Sequence, residues 1–63
     1  MNLGEIVKAE RRKQGISQQK LADAAGVTKR AINYWEKGTK HMNLESADKV
    51  LKALGISFTI GEQ

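Results

Sequence analysis

The stretch that leaves this chain least freedom is Ser17 to Gly38, reading SQQKLADAAGVTKRAINYWEKG. Its residues fit two short helices joined by a tight bend: Gln18 to Ala25, a turn at Gly26-Val27, then Thr28 to Lys37. Ser17 stands where it can cap the first helix and Thr28 where it can cap the second, each accepting from a backbone N–H that has no partner inside the helix. Gly26 supplies the positive φ that so short a turn demands and that a β-branched residue would resist. Leu21, Ala22 and Ala25 form the inner face of the first helix. Alanine at position 22 is the small side chain that two steeply crossing helices need at their contact, and Val27 turns back into the core. On the second helix Ile32 and Trp35 face inward, which leaves Lys29, Arg30, Asn33 and Tyr34 on the free face. A helix anchored by one face, with basic and polar groups on the other, suits a DNA groove.

The rest of the chain has to support that pair of helices. Sixty-three residues make one domain at most, and a chain this short buries only about 60% of its unfolded surface. There is no cysteine, so neither a disulfide framework nor a thiolate metal site adds to the core. Helix packing and oligomerisation are the remaining routes to stability. Asn2 and Glu5 fit a capping box at the start of a first helix that runs to about Gln14, where Gly15 can end it. Leu3, Val7 and the stem of Arg11 recur at helical spacing, and Ile6 broadens their stripe. Glu10 falls near the buried edge of that stripe, with pairing to a nearby lysine as its only evident use. After a polar loop over residues 39–42, Asn43 caps a fourth helix to Leu54. Its apolar positions are Leu44, Ala47, Val50, Leu51 and Leu54, and Gly55 stops it.

Beyond Gly55 the period changes. Ile56-Ser57-Phe58-Thr59-Ile60 alternates apolar and polar residues, β-branched and aromatic among them, which predicts a strand. The chain offers no second strand to pair with it, and an unpaired edge carrying Ile56, Phe58 and Ile60 invites aggregation. The simplest partner is the same strand of a second copy, giving a two-stranded antiparallel ribbon about a two-fold axis. The chain therefore divides into a helical domain over residues 1–55, with the helix pair at 17–38, and a dimerisation tail over residues 56–63.

The formal charge of +4 is unevenly spread. Residues 1–42 hold nine Lys or Arg against four acids, whereas residues 43–63 hold two against three. The basic part would attract a polyanion and the other end is left for a different task. No segment approaches the roughly 18 consecutive apolar residues needed to span a bilayer, and the first residues lack the apolar run of a signal peptide. These observations predict a cytoplasmic protein.

The run GISQQKLA, then AGVT, then INYWEKG resembles the helix-turn-helix of the phage-repressor family, also called Cro/cI-like or XRE. RRKQG at the end of the first helix and NLESADKVLKALG in the fourth extend the likeness over residues 3–55. The resemblance implies an all-α, four-helix, lambda-repressor-like DNA-binding domain, here with a short strand appended. It implies base reading by Lys29, Arg30, Asn33 and Tyr34. The chemistry agrees, since Arg or Lys can donate to guanine O6 and N7, and Asn can bond adenine N6 and N7. It also carries a phosphate contact onto Gln18, at a helix start where free N–H groups and the helix dipole favour an anion. Thr28, Lys37, Thr39, Lys40 and His41 are further candidates for phosphate. Arg11 and Glu36 match family positions that form an ion pair between the first and third helices. Glu10 departs from the family, which usually has an apolar residue there. The tail departs too, and is similar instead to that of Hip-type (high-persistence) antitoxins, which end in a strand paired across the dimer.

The function expected is a homodimeric transcriptional repressor on double-stranded, roughly palindromic operator DNA. A narrower form is an antitoxin that also binds a cognate toxin. The alternative is a protein-interaction adaptor that keeps the fold without specific DNA binding, against which the cluster Lys29, Arg30, Lys37, Lys40 and His41 speaks. No enzyme is expected, because the lone histidine and scattered carboxylates form no nucleophile–base constellation. No metal site or cofactor is expected either.

Overall fold

The computed structural model describes residues 3–56, and within them the chain forms four α-helices and no strand. They are α1 (Leu3–Gln14), α2 (Gln18–Ala25), α3 (Lys29–Lys37) and α4 (Leu44–Ala53). α3 packs on both α1 and α2, and α4 packs mainly on α2. Val7, Leu21, Ala22, Ile32, Val50 and Leu51 are almost wholly excluded from solvent and make the centre of the core. Leu3, Ile16, Val27, Trp35, Met42 and Ile56 close over it from the helix ends and connections.

Three helix starts are capped as their sequences predict. Ser17 Oγ accepts from the Lys20 N–H at 3.0 Å, Thr28 Oγ1 from the Ala31 N–H at 3.0 Å, and Asn43 Oδ1 from the Ser46 N–H at 2.7 Å. Each cap satisfies one of the donors that a helix start leaves over. Between α2 and α3, Gly26 adopts φ +75°. The Ala22 carbonyl there accepts from both the Gly26 N–H at 2.9 Å and the Val27 N–H at 3.0 Å. These two hydrogen bonds to one buried residue turn the chain at the end of α2 and leave Val27 packed against the core. The expected capping role of Asn2 lies outside the described residues.

Two sequence readings need correction. Leu44 is 65% exposed rather than part of the core face. It is the first residue of α4, and a helical side chain leans toward the N-terminus, so at this end it overhangs solvent; the buried stripe begins at Ala47. Glu10 does not pair with a lysine. Its Oε2 accepts from Gln14 Nε2 at 2.9 Å, and the same nitrogen donates to the Leu54 carbonyl at 2.7 Å. Glu10 thus holds a side chain that satisfies a carbonyl at the end of α4 and ties that end to α1. An apolar residue at position 10 could not do this.

The expected strand lies outside the described residues from Ser57 onward. Ile56 packs against its own core, and its N–H donates to the Leu51 carbonyl at 2.9 Å. No helix among the described residues is long and apolar enough to cross a membrane.

Candidate nucleic-acid interface

α3 presents its outer face because its inner one is anchored twice. Ile32 is fully buried, Trp35 packs on the core beside it, and Glu36 is only 7% exposed. On the opposite face Lys29, Arg30 and Lys37 are exposed, and Asn33 and Tyr34 are half-buried. Gln18, from the start of α2, joins Lys29, Arg30, Asn33 and Tyr34 around one shallow groove. The four candidate base-reading residues and the N-terminus of α2 therefore share a surface, as their spacing requires.

A second groove beside it brings Arg30 and Tyr34 together with Lys40 and His41 from the loop after α3. Lys40 Nζ lies 5.0 Å from the centre of the Tyr34 ring, a cation–π approach that draws the loop toward the helix. Tyr34 is thus neither free nor buried. Its ring braces a lysine at the rim of the interface.

The hydrogen bonds separate the candidate phosphate contacts by what each still has to give. Thr28 Oγ1 accepts from its cap partner, so its hydroxyl proton remains available to an anion. Thr39 is different, because its hydroxyl donates to the Tyr34 carbonyl at 3.2 Å. Its single proton closes the end of α3 and is not free for phosphate. Lys37, Lys40 and His41 are exposed. Gln18 Nε2 donates inward, to Glu36 Oε1 at 3.1 Å and to Asn33 Oδ1 at 3.4 Å. In this arrangement its side chain offers a phosphate no donor. Of the backbone N–H groups of the first α2 turn, that of Lys20 is taken by the Ser17 cap, and those of Gln18 and Gln19 remain as the anion-binding element.

Beneath this surface Arg11 and Glu36 form a two-pronged ion pair. Arg11 Nε donates to Glu36 Oε2 at 2.7 Å and Nη2 to Oε1 at 3.0 Å, while Nη1 donates to the Ile16 carbonyl at 2.8 Å. The pair joins α1 to α3 and also fastens the α1–α2 connection. Burial alone would push the Glu36 carboxyl upward. Hydrogen bonds from Arg11 and Gln18, with the charges of Arg11 and Lys8, outweigh it and hold the group below the usual carboxylate range. The hydrogen bond to Glu36 raises the Arg11 guanidinium against its own desolvation. Both partners stay charged at neutral pH.

The contact from Gln18 to Glu36 was not predicted. Nothing in the sequence signals it, because the two residues are 18 apart and meet only after α2 and α3 have crossed. The charges of α4 offset one another locally, Lys49 with Glu45 at 3.8 Å and Lys52 with Asp48 at 3.1 Å. Among the described residues, no three His, Asp or Glu side chains gather where they could hold a metal ion.

Two helices crossing over a glycine turn, the second exposing basic and amide side chains, define a helix-turn-helix DNA-binding domain. The sequence profile of the helix-turn-helix family matches residues 7–60. The chain belongs to this family, in its Cro/C1 or XRE branch, and is a DNA-binding transcription regulator rather than an enzyme. The P22 c2 repressor, solved in complex with a synthetic operator, superposes with a TM-score of 0.82 at 35% sequence identity, over 90% of this chain and 86% of that one. A mutant of the restriction-modification controller protein C.Esp1396I superposes with a TM-score of 0.84 at 24% identity, over 87% of this chain and 71% of that one, a likeness of fold. Among curated proteins none matches the chain significantly.

Proposed function

We propose that the protein is a transcriptional repressor that binds operator DNA as a homodimer, with α3 in the major groove and the start of α2 on the phosphate backbone. The observation that carries this reading is the outer face of α3, where Lys29, Arg30, Asn33 and Tyr34 line one groove with Gln18. Lys29 and Arg30 are long, exposed donors suited to guanine O6 and N7; Asn33 is shorter, sits deeper, and suits adenine. Thr28, Lys37, Lys40 and His41 surround them and hold the phosphates on either side. The likeness to a repressor whose structure contains a synthetic operator supports the same class of ligand here.

Two copies presenting α3 to successive major-groove segments about 34 Å apart would read a roughly palindromic site. In this proposal Phe58 and Ile60 join the copies through their tails, while Ile56, expected to share that task, packs on its own core. The tail's alternating sequence also favours the narrower reading of an antitoxin that represses its own operon and binds a cognate toxin. Recovery of a stable heteromer from the native host would support that form, and recovery of homodimer alone would argue for a free-standing repressor.

The test is a gel-shift titration against fragments of the promoter of the protein's own gene. Binding should exceed that to random duplex, and alanine at Lys29, Arg30 or Asn33 should erode the difference. Affinity should fall by orders of magnitude between about 50 and 200 mM salt if ~6–10 phosphates are neutralised. Equal binding to promoter and random duplex would sink specific repression. An absence of salt dependence would favour an adaptor that works without DNA.

A further inference from the structure

We infer that Glu36 is a positioning residue for base readout: by accepting from Gln18 it fixes the orientation of that carboxamide and, through it, of Asn33. The inference rests on the proposal that Asn33 reads a base. Its geometric part stands on the free protein alone.

An amide side chain has two faces that look alike in shape and opposite in chemistry, since NH2 donates and C=O accepts. Left alone on a helix surface, Asn33 could present either. Glu36 removes the choice. Its carboxylate can only accept, its side chain is 3% exposed, and Arg11 holds both of its oxygens. The group facing Glu36 Oε1 at 3.1 Å must therefore be the Gln18 nitrogen, because the Gln18 oxygen there would meet a negative charge. The second hydrogen of that nitrogen points to Asn33, which must answer with its oxygen, at 3.4 Å. Asn33 Nδ2 is then the end turned away from α2, and one Oδ1 lone pair is still open. This is the donor-and-acceptor order that adenine N7 and N6 require, in one direction along the groove only. The path runs from Arg11 on α1, through Glu36 on α3 and Gln18 on α2, back to Asn33 on α3.

The discriminating variant is Glu36→Gln, nearly equal in shape but able to show Gln18 either a donor or an acceptor. Gln18→Met removes the relay while leaving the Arg11–Glu36 pair in place, and serves if the first variant fails to fold. In the free protein, the Gln18 side-chain NH2 protons, donated to Glu36 and Asn33, should exchange slowly with solvent, and the Asn33 side-chain NH2 resonances should report one fixed orientation in the wild type. Those of Asn33 should lose that signature in both variants. Unchanged Asn33 resonances in the folded variants would overturn the orientation claim, whatever DNA does. On duplexes randomised one base pair at a time, the pair whose preference Asn33→Ala abolishes is the one Asn33 reads. Both variants should lose about tenfold discrimination at that pair, with preferences elsewhere kept. Full preference at that pair in a folded variant would overturn the inference. A uniform loss at every pair would reduce Glu36 to a structural role and overturn it equally. A wild type with no preference at any pair would instead remove the base-reading proposal, leaving the resonances to decide the orientation.

Discussion

Glu36 has a carboxylate almost sealed from water, yet it is stabilised in its charged form by three donated hydrogen bonds, two from Arg11 and one from Gln18. A carboxyl held below its ordinary value of 4.5 adds stability above that pH and loses it as pH falls through the lowered value. Thermal melts of the wild type should therefore drop steeply below about pH 4.5, and melts of Glu36→Gln should drop less. Parallel pH profiles would mean that other carboxylates govern acid unfolding. The residue scale is also where the sequence is least legible. Arg11 and Glu36 could be paired only through a family resemblance, since nothing local links positions 25 apart. The roles of Gln18 and Glu10 stayed hidden for the same reason. Each is decided by a partner that arrives from another helix or by a carbonyl left over at a helix end.

Helices and their ends were far more legible, because the forces that set them act within a few residues. Ser17, Thr28 and Asn43 cap helices by bonding three residues ahead. Leu44 shows the limit of such reading. Periodicity assigns it to the buried stripe, but the first position of a helix has no preceding turn beneath it to be covered. The turn between α2 and α3 depends on Gly26 for conformation and not for space. A Cβ built there meets nothing within 4 Å, while φ is +75°. Gly26→Ala should thus destabilise by about 1–2 kcal/mol, the cost of a left-handed residue with a side chain. Gly26→Asn should cost less, because asparagine tolerates that region. Equal losses in urea unfolding would point to a hidden clash instead. The fold of residues 3–55 was readable as four helices; the tail's pairing, which needs a second copy, is a matter no single chain's periodicity can resolve.

At the scale of the whole molecule, the proposed dimer would have to match a body of 33 × 23 × 20 Å to DNA sites about 34 Å apart. In that proposal two such bodies would meet along their long dimension or through an extension, the role proposed for the tail. Deleting residues 57–63, which spares Ile56 and its core contact, should raise the dimer dissociation constant and weaken operator binding together. Sedimentation showing an unchanged dimer would move the interface to the exposed start of α4 at Leu44. The bond from Gln14 to the Leu54 carbonyl then acquires a second meaning. Gln14 pins the point from which the tail departs, and Arg11, one turn earlier on the same helix, pins the reading helix. α1 touches neither DNA nor partner in this proposal, yet it serves as the measuring rod between them. The spacing of half-sites that a dimer accepts would be written into a helix that reads no base.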